Sequence, residues 1–305
     1  MSEAPRIPVT VIGGYLGAGK TTLVNHLLRT AQGRRLAVLV NDLGELSIDA
    51  DLIEARDENL ISIAGGCVCC SYGSDLVLAL KELAARNPRP DHVLIETSGV
   101  ALPNSVAASL SLLEGYKLDC VAVLADVTTI RRMATDRYLA DTIERQFVDA
   151  DFVLAAKADC APAGEVASVC AWLSQKAPQA RVLPVTRGQV PFEVIASSDR
   201  PLRLVASADT HHHESDIYST RLLDFPEPVN ATRVAMALAD RGVGLLRAKG
   251  FVRGHDGATW TIQVVGERGE ALPTRKPTSH VGQVNCIGLI ARMDNDRLDA
   301  IAQAR

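Results

Sequence analysis

The chain has 305 residues, of which 47% are hydrophobic and 22% charged, with a formal net charge of -4. At roughly 100 to 200 residues per domain, this length suits one large and one smaller folded domain, and so ordinary a composition excludes disorder, collagen and a bare peptide module. The weak negative charge offers no global field to nucleic acid or an anionic membrane, and 4% aromatic residues disfavour a stacking platform for single strands, so neither is expected as a partner.

The first residues, with Glu3, Pro5 and Arg6 ahead of Ile7, lack a signal-peptide core, and no run approaches the roughly 18 apolar residues of a membrane span. A cytoplasmic protein is expected. From Pro8 to about Val185, short apolar runs alternate with stretches of helical spacing. The runs Val9 to Ile12, Leu36 to Val40, Val93 to Ile95, Val121 to Leu124, Phe152 to Leu154 and Val182 to Val185 predict strands covered on both faces. Between them, Leu23 to Leu28, Leu76 to Ala85, Val106 to Leu113 and Val166 to Leu173 predict helices. The alternation gives an α/β domain with a mainly parallel sheet and helices on both faces. Ligands of such sheets bind beyond the carboxyl ends of the strands, where the sequence puts Gly13-Gly14, Asn41-Asp42, Glu96-Thr97, Asp126 and Lys157.

After Arg187 the pattern weakens into a polar stretch reaching His211, His212, His213 and Glu214. Beyond Glu214 the residues predict a strand (Ile217 to Phe225), a helix capped by Asn230 (Thr232 to Ala239), two strands (Leu245 to Arg253, Thr259 to Val265), a last strand (Cys286 to Arg292) and a closing helix from Asp294. The expected division is therefore 1–187, a linker over 188–215, and a small α+β domain over 216–305.

Gly14-Tyr15-Leu16-Gly17-Ala18-Gly19-Lys20-Thr21 satisfies G-x-x-x-x-G-K-[ST], with a strand before it and an amphipathic helix after it. Gly14, Gly17, Ala18 and Gly19 allow the backbone to wrap its N–H groups around β-phosphate oxygens, while the helix N-terminus adds favourable partial charge. Lys20 would neutralise the β- and γ-phosphates, Thr21 would ligate Mg²⁺, and Thr22 would reach the α-phosphate. Glu96, at the end of an apolar run, stands where the acidic magnesium residue of a phosphate-loop enzyme stands, or else caps a turn. Gly99 could sense the γ-phosphate through its N–H. Asp42 is a candidate for magnesium or the attacking water, or a plain turn residue. Lys157 and Asp159 follow the strand where a guanine-specific enzyme has Asn-Lys-x-Asp: the carboxylate can accept from guanine N1–H and the 2-amino group, and the lysine stem can cover the ring. Ala156 stands at the asparagine position.

Three of the seven cysteines fall in Gly66-Cys67-Val68-Cys69-Cys70. An odd count so clustered argues for metal or redox chemistry rather than a disulfide framework. Cys67 with Cys69, or Cys67 with Cys70, supplies two soft ligands suited to Zn²⁺ or Cu⁺ and able to hold Co²⁺. A redox dithiol and inert thiols are the alternatives. The run His211 to His213 could collect divalent ions or simply be solvated, and His26 is read as structural.

Together these segments resemble the CobW family of phosphate-loop GTPases, relatives of the urease and hydrogenase nickel chaperones. The resemblance rests on Gly14 to Leu23, Val40 to Glu45, Gly66 to Cys70, Glu96 to Gly99, Lys157 and Asp159, and, nearer the C-terminus, Leu246 to Phe251 and Trp260. It implies a phosphate-loop NTPase fold with a CobW-like C-terminal domain, slow hydrolysis of GTP to GDP, and delivery of zinc or cobalt to a client metalloprotein. A second copy of the chain is a further candidate partner. It also implies that Thr21 and Glu96 serve magnesium and that Cys67, Cys69, Cys70 and Glu45 serve the delivered metal. Ala156 departs from the family's asparagine, Asp42 from its common glutamate, and Leu102 from an aspartate. A metal-binding regulatory or storage protein with weak turnover is the alternative function, and a small-molecule kinase is a third.

Overall fold

A computed structural model describes residues 6–41, 60–65, 74–110, 112–196, 217–274 and 280–303. The chain divides into two compact units, Met1–Arg200 and Pro201–Arg305.

In the first unit the strands are β1 (Ile7–Gly14), β2 (Leu36–Asn41), β3 (Leu60–Gly65), β4 (His92–Glu96), β5 (Tyr116–Asp126), β6 (Phe152–Ala156) and β7 (Arg181–Val185). They form one parallel sheet in the order β3-β2-β4-β1-β5-β6-β7. Every residue of β1 is buried, which requires cover on both faces because successive side chains point to opposite sides. Ile7, Val9 and Val11 share a core with Leu76, Leu80 and Leu83 of the helix Ser74–Ala85, with Val106 and Leu110 of Pro103–Leu110, and with Val169 and Leu173 of Ala163–Lys176. On the other face Thr10 meets the short helix Phe192–Ile195, its hydroxyl donating to the Ile195 carbonyl at 2.9 Å. Leu23, Val24 and Leu27 are buried on the helix Lys20–Arg29.

Several features differ from the sequence expectation. Strand β3, unforeseen, adds an edge beside β2 with Gly65 opposite Asn41. The expected linker starts too early, because Val190, Phe192, Val194, Ile195 and Ala196 are all buried. Polar anchors hold this segment: His26 Nε2 lies 3.1 Å from the Val190 carbonyl, and Arg34 pairs with Glu193 at 2.9 Å with both side chains buried. The Arg34 guanidinium also sits 4.7 Å from the centre of the Phe192 ring. His26 is therefore structural, as expected. The turn Ala158–Cys160 and the short helices Ile130–Met133 and Ala140–Gln146 were also unforeseen.

The second unit is an antiparallel sheet of β8 (Tyr218–Asp224), β9 (Leu245–Arg253), β10 (Thr259–Val265), β11 (Arg268–Pro273) and β12 (Gln283–Leu289), in the order β11-β10-β9-β12-β8. Ala248, Val252, Ile262, Val264, Val284 and Cys286 form its core with Val234, Ala235 and Leu238 of the helix Ala231–Ala239 and Leu298 of Asn295–Gln303. Asn230 caps the first of these, its side chain accepting from the Arg233 N–H at 3.0 Å. Asp294 caps the closing helix in the same way, accepting from the Arg297 N–H. Strand β12 ends before the expected Arg292 because the Arg292 N–H turns back to the Leu289 carbonyl. Strand β11 is an added hairpin partner for β10. Burial pushes the Cys286 thiol up to about 12, as expected of an inert core cysteine.

Candidate nucleotide site

Strands β1, β4, β5 and β6 end at the same edge of the parallel sheet, and each exit carries part of the site. At the end of β1 the loop runs through Gly14, Gly17 and Gly19, all with positive φ, into the helix that Lys20 opens. A side chain at Gly14 would strike the Leu124 carbonyl oxygen at 2.5 Å, so only glycine lets the loop leave the sheet here. The buried Lys20 folds back to donate to the Gly14 carbonyl at 3.0 Å and the Tyr15 carbonyl at 3.4 Å. Its ammonium thus lies inside the loop that would cradle the phosphates. Ala18 is buried in that loop, and its N–H donates to the Tyr15 carbonyl. Thr22 follows in the first helical turn.

Thr21 and Glu96 come together across 75 residues of sequence, the hydroxyl donating to Glu96 Oε1 at 3.1 Å. Neutral hydroxyl and carboxylate oxygens side by side are the hard donors Mg²⁺ prefers. Ser98, two residues on, is buried with its hydroxyl unpartnered among the described residues, leaving polar capacity for a bound ligand. These residues fit a magnesium–phosphate group.

Gly99 touches the phosphate loop. A Cβ there would lie 2.6 Å from the Leu16 backbone nitrogen and from the Leu16 side chain. Sequence reasoning missed Gln146, whose buried amide donates to the Gly99 carbonyl at 2.9 Å and the Ala101 carbonyl at 3.0 Å, fixing the turn after β4. No local pattern announces it, because it ends a short helix whose neighbour is 47 residues away.

Two ion pairs form where the sequence expects the base. Lys157, with φ of 58°, reaches Asp126 at the end of β5, its ammonium 2.7 Å from Oδ2. Burial pushes the Asp126 carboxyl up, but hydrogen bonds from Lys157 and Thr128 outweigh it and hold the group below the usual carboxylate range. Asp126 thereby fixes the lysine stem expected to cover the base, a role the sequence did not assign. Asp159 faces Arg187, with Nε and Oδ2 3.7 Å apart. Ala156, buried, pairs in register with Val185.

Asp42, Glu45, Cys67, Cys69, Cys70 and His211 to His213 lie outside the described residues. Among the described residues no group of three or more His, Cys, Asp or Glu is arranged to hold a metal ion. Nor is any helix among them long and apolar enough to cross a membrane.

Comparison with known proteins matches residues 8–184 to a family described as CobW/HypB/UreG, nucleotide-binding domain, and residues 218–304 to one described as the cobalamin synthesis protein cobW C-terminal domain. The chain is 30% identical over 292 residues to a protein of Pseudomonas aeruginosa named zinc chaperone CobW, covering 82% of this chain and 78% of that one. A protein of Escherichia coli named zinc chaperone YjiA is 30% identical over 264 residues, 81% of each chain. In Dictyostelium discoideum, a protein named zinc-regulated GTPase metalloprotein activator 1 is 28% identical over 298 residues, 81% of this chain and 62% of the relative.

Proposed function

Since the chain belongs to the CobW/HypB/UreG family, whose N-terminal domain binds nucleotide, we propose that it is a GTP-hydrolysing zinc chaperone acting on a client metalloprotein. The observation that carries the reading is the convergence of Lys20, Thr21 and Glu96 at the carboxyl edge of a parallel sheet, with Asp159, which we assign to the guanine, in the turn that follows β6. A cytoplasmic setting accords with the clustered thiols, which stay reduced there.

Lys20 exchanges its loop carbonyls for β- and γ-phosphate oxygens, offsetting the charge that spreads over the transferring group. Thr21 and Glu96 would hold magnesium, which would supply charge neutralisation at the phosphates. The Gly99 N–H faces the γ-phosphate, and Asp42 orients the attacking water. The rigid contact of Gly99 with Leu16, together with the Gln146 clamp, ties the turn after β4 to the phosphates. The cargo metal binds the thiolates of Cys67, Cys69 and Cys70 with Glu45 as a further ligand, and His211 to His213 serve as an accessory site. Strand β3 supports this assignment: it ends at Gly65 opposite Asn41, so the last described residues before the cysteine segment and before the Asp42 to Glu45 segment are neighbours in the sheet. Ordering one around GTP can then alter the other.

Such coupling is reciprocal. If GTP tightens metal binding by some factor, metal tightens GTP by the same factor, typically about 1 to 3 kcal/mol. Titrating Zn²⁺ or Co²⁺ into the nucleotide-free, GDP-bound and GTP-analogue-bound protein should give the tightest binding with the analogue. The Cys67→Ser, Cys69→Ser, Cys70→Ser variant should lose the high-affinity site. Equal affinity in all three states would favour a storage or regulatory protein, and an unaffected triple variant would move the metal to another site.

A further inference from the structure

We propose that Arg187 reads the O6 and N7 acceptors of guanine, supplying the base contact that Ala156 cannot make. The inference rests on the assignment of Asp159 to guanine and extends it to the other half of the base edge. Ala156 and Val185 are register partners at the ends of β6 and β7, so the loops that follow these two strands emerge side by side. One carries Asp159, the other Arg187, and their charged groups stand 3.7 Å apart. That separation is an ion pair without a hydrogen bond, and it is the Arg187 side chain's single polar contact among the described residues. Its side chain is 80% exposed, with its N–H donors left for a ligand.

The backbone reinforces this. Arg187 and Gly188 both have positive φ, 50° and 71°, and the Gln189 N–H closes onto the Thr186 carbonyl at 2.9 Å. Two positive φ angles in succession define a type I′ turn, whose first central position favours asparagine, aspartate or glycine. Arginine there is strained, and strain retained at a site edge points to a use for the side chain. Nor is the turn free to drift: a Cβ on Gly188 would lie 2.9 Å from the Leu23 nitrogen, so the turn sits against the first turns of the helix that opens with Lys20. The turn that carries Arg187 thus packs against the helix that follows the phosphate loop.

Guanine presents, in order along one side, the 2-amino and N1–H donors and then the O6 and N7 acceptors. A carboxylate beside a guanidinium offers acceptors and then donors in the complementary order. Arginine to O6 and N7 is also the commonest specific side-chain contact to guanine in nucleic-acid recognition. Adenine puts an acceptor at N1 and a donor at N6, so the same pair opposes it twice.

The test is calorimetric titration of the full chain with GDP, 7-deaza-GDP, IDP and ADP in the presence of Mg²⁺. Wild type should bind 7-deaza-GDP, which lacks the N7 acceptor, several-fold more weakly than GDP. Arg187→Ala should weaken GDP on the order of tenfold and bind GDP and 7-deaza-GDP alike, while retaining the penalty against IDP, which lacks the 2-amino group read by Asp159. Arg187→Asn keeps a residue the turn prefers; if the guanidinium is what matters, it binds as weakly as the alanine variant, and wild-type affinity there would overturn the proposal. Wild type that prefers ADP, or is indifferent between GDP and IDP, removes the guanine assignment of Asp159 and the proposal with it. A normal IDP penalty with no discrimination against 7-deaza-GDP removes the Arg187 contact alone.

Discussion

At the phosphate end of the site Lys20 and Glu96 are 7% and 1% exposed, and Gly99 meets the Leu16 backbone with no room for a methyl group. At the base end the Lys157 and Arg187 side chains are 42% and 80% exposed, and each relies on an ion pair reached across a loop. The phosphate end works by fixed geometry in a water-poor setting, where a charge placed correctly is worth most. The base end, on the proposed assignment, would work by hydrogen-bond pattern in partial contact with water, where each contact is worth little and one can stand in for another. Catalytic perturbations should therefore be large at one end and affinity perturbations modest at the other.

The largest expected effect is loss of hydrolysis in Lys20→Ala and in Thr21→Ala. Removing the buried ammonium, or the hydroxyl 3.1 Å from Glu96, takes away charge stabilisation at the transferring phosphoryl group. We expect a fall on the order of a hundredfold to a thousandfold in kcat, measured as phosphate release. Turnover at the wild-type rate in either variant would break the comparison at its stronger end.

Gly99→Ala comes next. The new methyl group would have to displace the Leu16 backbone by several tenths of an ångström, and backbone yields less readily than a flexible side chain. A small misalignment of groups around a reacting phosphate costs roughly tenfold to a hundredfold in rate. GDP affinity should change far less than kcat if, as proposed, the Gly99 N–H faces the γ-phosphate; equal losses in both would show that the phosphate loop as a whole has been distorted.

The two ends also differ in how far the sequence reveals them. The phosphate loop is a local word, eight consecutive residues between a strand and a helix, and Gly14 to Thr21 stand as that word requires. That Glu96 comes beside Thr21 is legible for a similar reason, since a parallel sheet brings the carboxyl ends of β1 and β4 to one edge. Gln146 and Arg187 were not legible. Their roles depend on which chain segments 47 and 28 residues away come alongside, and periodicity carries no such information. The segment Val190 to Ala196 was misread as linker because its burial is decided by Thr10, His26 and Arg34, distant in sequence. Strands β3 and β11, six residues each at one end of their sheets, were missed. In the second unit the helices were well marked by their caps, Asn230 and Asp294, because capping is again local.

The smallest expected effect sharpens the comparison most. Ala156→Asn restores an amide at the end of β6, and one recovered hydrogen bond contributes on the order of 0.5 to 1.5 kcal/mol, a several-fold gain in GDP affinity. If Arg187 already serves the same side of the base, the two contacts compete for shared acceptors and their effects cannot add. The gain from Ala156→Asn should then be small in the wild-type background and several-fold larger in the Arg187→Ala background, which a double-mutant cycle measures as a coupling energy. ADP should gain less than GDP in either background, because the Asp159 carboxylate still opposes the adenine N1 acceptor even though an amide can pair with adenine N6 and N7. Strict additivity across the cycle would mean that the asparagine and arginine contacts are independent, and the base end would then be as fixed in its geometry as the phosphate end.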